Sequence, residues 1–341
     1  MIREAIGRVV AGESLAEEEA MQVMEEIMSG QASGAQIGAL LTALRLKGET
    51  VAEITGFARI MRAKATRVSP AREVVVDTCG TGGDGLSTFN ISTIAALVIA
   101  GAGVTVAKHG NRSVSSRCGS ADVLEALGVR VDLPPARVVL AMETFNFGFL
   151  FAPAFHEATR HVAGPRREIG IRTVFNVLGP LTNPAGAPCQ VAGVYSEGLV
   201  PVLAGVLAAL GSRHSFVVHG FGGMDEVSTA GPALVAEISG PRFITYRLDP
   251  RDLGLAPCAL DELAGGSPQE NAAIARRILT GEKGPRRDTV LLNAALGLVA
   301  AGAAPDLPAG LAAAAASIDE GRAFRNLTEL AEWSRLAKEA V

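Results

Sequence analysis

Three polar stretches and one arginine cluster hold the residues that could do chemistry. In the first stretch, glycines stand at 80, 82, 83 and 85, followed by Ser87, Thr88, Asn90, Ser92 and Thr93. A short apolar run at 74–76 precedes them, and a helix-forming apolar segment begins near Asn90. Strand, glycine-rich turn and helix N-terminus together build an anion site. Backbone N–H groups point outward, the helix dipole is positive there, and glycine lets the chain approach a phosphate closely. No Gly-Lys-Ser/Thr follows, so the turn is not a P-loop.

The second stretch, KHGNRSVSSR at 108–117, sets one ammonium, two guanidiniums, a histidine, an asparagine and three serines in ten residues. Such a loop can surround a highly charged phosphate ester; the plainer alternative is a solvated basic loop. The third is the pair Asp225 and Glu226, after a Gly-Phe-Gly-Gly-Met turn. Adjacent carboxylates repel unless a cation lies nearby. With phosphates opposite, Mg²⁺ held by one or two carboxylates, waters and substrate oxygens is the natural arrangement. The cluster Arg166, Arg167, Glu168 and Arg172 reads two ways, as a bidentate clamp for a substrate carboxylate or as a structural ion-pair group around Glu168. The five histidines show no paired metal-ligand spacing, and no GxSxG elbow occurs. Chemistry here rests on positioned phosphates, Mg²⁺ and electrostatics.

The elements that must position these groups fall into two kinds. Residues 1–66 read as four helices, with capping boxes at Ser14/Glu17 and Thr50/Glu53 and stops at Gly30 and Gly48. Met21, Met24, Ile27 and Met28 share one helical face, as core or partner-helix contacts do. From Val74 the pattern becomes strand, turn and helix. Strands are expected at 74–77, 104–107, 129–131, 147–151, 191–195, 216–219, 233–238 and 243–247. Helices are expected at 122–127 with Ser120 as N-cap, from Pro134-Pro135, and at 153–162, 200–210, 268–279, 286–301 and 309–316. This alternation implies a mostly parallel sheet covered on both faces, closed by a hairpin across Ser239-Gly-Pro241. The fold class is α/β: a small all-helical N-terminal domain plus a larger α/β domain. In such sheets ligands sit at the carboxyl ends of the strands, where the polar stretches fall.

Composition narrows the class further. The 341 residues are 48% hydrophobic and 19% charged, enough for a large buried core. A net charge of −4 argues against a broad nucleic-acid-binding face. Cysteines 79, 118, 189 and 258 form no CxxC pair and no cluster with histidine, which excludes the common zinc spacings and points to a reducing cytoplasm. The N-terminus MIREAIGRVVAGES lacks a signal-peptide core. The most apolar stretch, 93–107, is short of the ~20 residues that span a bilayer. Neither nucleic acid nor membrane is expected as a partner.

GTGGDGLSTFNIST at 80–93, KHGNRSVSSRCGSADVLEALG at 108–128, RREIGIRTVFNVLGPLTNPA at 166–185 and GMDEVS at 223–228 together resemble the anthranilate phosphoribosyltransferase family. NAA at 293–295 and SIDEGRA at 317–323 also look like it, so the resemblance spans nearly the whole chain. It implies transfer of 5-phosphoribosyl from phosphoribosyl pyrophosphate to the amine of anthranilate, with Mg²⁺ as cofactor. It also implies a helical domain at 1–68, completed by about 164–186, and an α/β domain at 72–163 and 187–341, usually dimeric through the helical part.

By matching motif, Gly80, Gly83, Asp84, Thr88, Asn90, Ile91, Ser92 and Thr93 would meet the phosphoribosyl donor. Lys108, His109, Gly110, Asn111, Arg112, Ser113, Val114, Ser115, Ser116 and Ser120 would close over its phosphates. Gly80, Asn111 and Arg166 would face anthranilate, with His109 nearby; His109, Asn111 and Arg166 carry the catalytic assignment. Ser92, Asp225 and Glu226 would hold the metal. Some positions depart from the family pattern: Ser113 for alanine, Cys118 for a serine-like residue, Phe221-Gly222 for a more acidic pair, and Pro165 before the clamp arginine. None of them removes a proposed ligand. Two rival readings fit less well. A pyrimidine-nucleoside phosphorylase needs a Lys-Ser-x-Gly-Arg loop where KHGNR stands, and a non-catalytic nucleic-acid binder would lose the Asp-Glu pair.

Overall fold

The computed structural model describes residues 1–113 and 117–336. Four helices open the chain: α1 (Ile2–Val10), α2 (Glu17–Met28), α3 (Gly34–Lys47) and α4 (Val51–Lys64). Thr50 caps α4 as expected, its Oγ1 accepting from Glu53 N at 3.3 Å while Glu53 Oε2 accepts from Thr50 N at 2.8 Å. Glu53 is fully buried and also accepts from Leu15 N and Lys47 Nζ, so one carboxylate ties α4 to the chain before α2 and to the end of α3. Ser14 does not cap α2. The run of three glutamates offers a carboxylate in more than one frame, and Glu19 reaches back to Ala16 N at 2.8 Å, making Ala16 the N-cap.

Seven strands follow: β1 (Val75–Gly80), β2 (Thr105–Gly110), β3 (Phe147–Phe151), β4 (Cys189–Gly193), β5 (His214–His219), β6 (Ala233–Ser239) and β7 (Arg242–Leu248). Their order is β3-β2-β1-β4-β5-β6-β7, the first five parallel and the last two an antiparallel hairpin. Around them run α5 (Ile91–Gly101), α6 (Ser120–Leu127), α7 (Pro135–Phe145), α8 (Ala152–Phe155), α9 (Arg160–Ile169), α10 (Phe175–Leu181), α11 (Leu199–Ala209), α12 (Pro268–Leu279), α13 (Pro285–Ala300), α14 (Leu307–Asp319) and α15 (Arg322–Leu336). The α/β class and the helical N-terminal unit are as read from the sequence.

Four local expectations change. Residues 129–131 form no strand; Val129 and Val131 are buried in a turn whose Arg130 N donates to Ser334 Oγ of α15, a helix the sequence reading did not foresee. The helix expected at 153–162 is broken at His156, leaving the short α8 and a separate α9. Ser120 is the first helical residue of α6, and Gly119 is its N-cap, with Asp122 accepting from Gly119 N at 2.8 Å. Finally, β1 and β2 run on to Gly80 and Gly110, which makes Lys108 and His109 strand residues rather than loop residues.

One face of the sheet packs against α5, α6 and α13–α15. The other packs against α11 and the N-terminal helices, in a core that also takes in Val162 of α9 and Phe175, Leu178 and Leu181 of α10. Apolar stripes of the four N-terminal helices are thus closed by a segment roughly a hundred residues later in the chain. The β1–β4 ladder reaches Gly80↔Gly193 and the β2–β3 ladder Gly110↔Phe151, whereas β1 pairs with β2 only at Val75↔Thr105 and Val76↔Val106. The sheet therefore divides between β1 and β2 at its carboxyl edge.

Candidate active site

At that edge β1 delivers the glycine turn. Gly82, Gly83 and Gly85 have φ of 65°, 76° and 80°, values that L side chains rarely adopt. Thr81 N donates to Gly193 O at 2.9 Å, and Tyr195 N donates to Thr81 Oγ1 at 3.2 Å, fixing the turn to the end of β4. Residues 87–90 are stitched to the chain before α12: Gly265 N donates to Ser87 O, Phe89 N to Leu263 O, and Asn271 Nδ2 to Asn90 Oδ1. Asn90 in turn donates to Cys118 O at 3.0 Å. Ile91 and Thr93 turn buried side chains into the core, so only their backbone can face a ligand at the start of α5.

The chain after β5 crosses over this turn. A Cβ at Gly193 would coincide with the Asp225 carbonyl, so that glycine is needed for the crossing; one at Gly80 would lie 2.8 Å from Asp225 Cγ and displace the carboxylate. Asp225 Oδ2 accepts from Gly82 N at 2.7 Å and Glu226 Oε1 accepts from Ser92 N at 3.0 Å. Both carboxylates are buried and neither makes an ion pair among the described residues. Burial first, then the charge of Asp84 on Asp225 and of Asp225 on Glu226, pushes both carboxyls well above their ordinary range. A divalent cation would relieve this. No three acidic, histidine or cysteine side chains converge among the described residues, so a closed protein cage does not fit, whereas Mg²⁺ bound by two carboxylates and completed by water and phosphate oxygens does.

The opposite wall comes from β2 and the α9–α10 segment. Arg166, on α9, lies with its guanidinium 5.2 Å from the Phe175 ring centroid and has no ion pair among the described residues; burial lowers its pKa. His109 Nδ1 meets Gly179 O at 3.1 Å, its ring stands 5.0 Å from His156, and its Nε2 is buried without a partner among the described residues. Burial, with His156 beside it, drives the His109 pKa down to about 3, so the imidazole is neutral. Asn111 is exposed at the end of β2, and its carbonyl accepts from Ser120 Oγ at 3.2 Å. A cavity of about 330 Å³ lined by Arg72, Glu73 and Asn146 lies at the other, amino end of the strands and takes no part.

Family models match both parts of the chain: "Glycosyl transferase family, helical bundle domain" over residues 3–65 and "Glycosyl transferase family, a/b domain" over 72–324. The anthranilate phosphoribosyltransferase of Pelotomaculum thermopropionicum is 62% identical over 334 residues, covering 98% of this chain and 97% of its own. The chain belongs to the anthranilate phosphoribosyltransferase family. The structure of the Thermus thermophilus family member superposes with a TM-score of 0.92 at 48% identity, covering 97% of this chain and 99% of that one. That of the Saccharomyces cerevisiae member, in complex with PRPP and Mg, gives 0.89 at 30% identity and covers 98% of each chain.

Against the family motif, the structure gathers Gly80, Gly83, Asp84, Ser92, Asp225 and Glu226 at one strand edge, with His109 and Asn111 at the end of the neighbouring strand. Three assignments change character. Lys108 is no lid residue: it is buried in β2 and its Nζ donates to Thr78 O at 2.5 Å. Arg112 turns to α6, where it bonds Glu125 through both terminal nitrogens and Asp122 at 3.2 Å. Ser113 N donates to Asp122 Oδ2 at 3.0 Å. Gly110 admits Ser120 Oγ and Phe149, with which a Cβ would collide. Val114, Ser115 and Ser116 lie outside the described residues. The arginine cluster also resolves: Glu168 pairs with neither arginine among the described residues, while Arg172 donates to Gly83 O and lies 4.4 Å over the Tyr195 ring. Arg172, expected as a clamp or ion-pair residue, instead fixes the glycine turn together with Thr81, which carries no local signal; only the folded chain brings β4 and the segment after α9 beside that turn.

Proposed function

We propose that this chain transfers the 5-phosphoribosyl group of phosphoribosyl pyrophosphate to the amine of anthranilate, releasing pyrophosphate, in tryptophan biosynthesis. The observation that carries the reading is 62% identity to an anthranilate phosphoribosyltransferase over 98% of the chain. Leaving-group departure puts positive charge on the ribose and negative charge on pyrophosphate. Gly80, Gly83, Asp84, Thr88 and residues 90–93 bind the donor; Ile91 N and Ser92 N already donate to Phe89 O and Glu226, so the start of α5 favours the phosphates through the positive end of its dipole. Mg²⁺ held by Ser92, Asp225 and Glu226 would neutralise charge on the leaving group. Asn111 to Ser113 and Ser120 would meet the phosphates at the end of β2, and Lys108, buried with its Nζ on Thr78 O, holds the strand end beside them.

On the other wall, the guanidinium of Arg166 takes the anthranilate carboxylate, and Asn111 and the Gly80 backbone orient the ring. The aniline nitrogen is already a free nucleophile and loses its proton after attack, so no strong base is required. His109, neutral at any working pH, shapes and orients rather than transferring a proton.

The helical domain is read as 1–68 completed by 164–186, which the shared core of α1–α4 with α9 and α10 supports. A homodimer through that domain is carried by the family resemblance; Val10 and Leu46, at 71% and 83% exposure on α1 and α3, are the apolar side chains there that a partner would cover. The chain is read as cytoplasmic and without nucleic-acid partners; no helix among the described residues is long and apolar enough to cross a membrane. The test follows anthranilate fluorescence in the presence of phosphoribosyl pyrophosphate and Mg²⁺. Donor- and Mg²⁺-dependent loss of signal, abolished by chelator and in Asp225→Ala/Glu226→Ala, is expected. A flat trace with donor binding intact by calorimetry would rule out anthranilate as acceptor.

A further inference from the structure

The β1–β2 ladder ends at Val76↔Val106, and Asp77 is the next residue on β1. It is fully buried. Its Oδ1 accepts from His109 N of β2 at 3.2 Å, and its Oδ2 accepts from Asn183 Nδ2 at 2.8 Å, on the chain leaving α10. Asn183 also donates to Ala107 O at 2.7 Å and accepts from Ala185 N at 2.8 Å. Lys108 Nζ crosses the other way, to Thr78 O. Where backbone pairing between the two strands stops, side chains therefore take over, and they bind in the chain that returns from the helical bundle.

Asp77 makes no ion pair among the described residues; the buried Lys108 ammonium acts on it only through space, its Nζ being bonded to Thr78 O, and a carboxylate so placed stabilises a sheet less well than apolar residues of similar size. We infer that Asp77 is a positioning residue for the transfer reaction, fixing the acceptor wall of β2 and α10 against the glycine turn at the end of β1. The acceptor wall depends on it directly: His109 is bonded through its backbone, Asn111 lies two residues on, and Gly179 belongs to the helix whose exit carries Asn183. The donor wall does not, because Gly80, Gly82, Asp225 and Glu226 are held by the β1–β4–β5 ladders and by the bonds of the crossing chain. Loosening Asp77 should therefore separate the two substrates. The inference rests on the reading that anthranilate is the acceptor.

The test uses the full chain with Asp77→Asn and Asn183→Ala. The first sets an amide NH₂ against the Asn183 NH₂ while leaving an acceptor for His109 N; the second removes the tie to the α10 exit. We expect kcat/KM for anthranilate to fall roughly 10–10²-fold, as small misplacements of a reactant do. The calorimetric Kd for phosphoribosyl pyrophosphate with Mg²⁺ should stay within about threefold. The exchange Asp77→Asn/Asn183→Asp restores a donor facing an acceptor at the 77–183 contact, though not the bond to Ala107 O, and should recover about half of the loss on a logarithmic scale. A parallel loss for both substrates, a fall in Tm with unchanged kcat/KM per folded molecule, or an exchange variant no better than the worse single change would each overturn the assignment. A wild-type chain that leaves anthranilate untouched would instead overturn the acceptor reading and this inference with it.

Discussion

Gly80→Ala probes the crossing of Asp225 over the glycine turn with one methyl group. The new Cβ would sit 2.8 Å from Asp225 Cγ, against 3.4 Å or more in ordinary contact. The carboxylate must retreat, by about 1 Å for its nearer oxygen, and the 2.7 Å bond from Gly82 N goes with it. A hydrogen bond to a charged group is worth about 1.5–3 kcal/mol, roughly 10–10²-fold in rate if it acts at the transition state. Displacing a carboxylate proposed to hold the metal by about 1 Å is of the same order, about 10². Gly80 has no positive φ and lies in a strand, where alanine is sterically allowed, so folding should survive. Initial rates by anthranilate fluorescence across a Mg²⁺ titration should show kcat/KM for the donor down about 10²-fold and the Mg²⁺ requirement raised. Activity within about threefold of wild type at the same Mg²⁺ dependence would refute the idea that this crossing sets the metal site.

Four other outcomes are expected. Because the folded-state pKa values of Asp225 and Glu226 are raised, the metal-free protein binds more protons folded than unfolded there, and their contribution to stability falls as pH rises above the ordinary carboxyl range. Mg²⁺ bound at the proposed site would displace those protons, so its apparent affinity by calorimetry should weaken with falling pH, by about tenfold per unit for each proton displaced; a pH-independent affinity would count against the site. Arg166→Gln should raise KM for anthranilate roughly 10–10²-fold and leave donor binding unchanged, as loss of a charged carboxylate contact would. Glu125→Gln removes one of the two carboxylates that hold Arg112, leaving Asp122 at 3.2 Å, and should lower KM for the donor about twofold with little change in Tm; an unchanged KM would count against a phosphate role for Arg112. Leu46→Glu places a charge on the exposed apolar side chain of α3 and should convert the proposed homodimer to monomers by light scattering; wild-type protein that is already monomeric would refute the dimer.

The glycine turn, the Asp-Glu pair and the alternation of strands and helices were legible because each is a local pattern: turn residues, adjacent charges, periodicity. What stayed hidden depends on distant residues meeting. Lys108 reads as part of a basic loop because its neighbours do, yet the strand continues three residues further than its apolar run and carries the ammonium into the interior. Arg112 looked like a phosphate ligand until α6 placed Glu125 and Asp122 beside it. Arg166 and Arg172, equivalent in sequence, part roles only because one packs on Phe175 and the other on Tyr195. Asp77 reads only as the last residue of a short buried strand; nothing local marks a carboxylate that substitutes for missing backbone pairs.

The shared core of α1–α4 with α9 and α10 bears on how the chain is made. Lys64 ends α4, and Arg160, the first residue of α9, is translated roughly a hundred residues later. At about 5–20 residues per second, the bundle's partners emerge on the order of 5–20 s after the bundle itself. Through that interval Val23, Met24, Ile37 and Leu44, all buried in the finished protein, belong to a bundle still missing part of its core. The helical unit is thus the first part synthesised but cannot be completed before three of the parallel strands have been made. Premature pairing between nascent chains is the hazard that order of synthesis sets, and it falls on the same helices whose outer faces carry Val10 and Leu46.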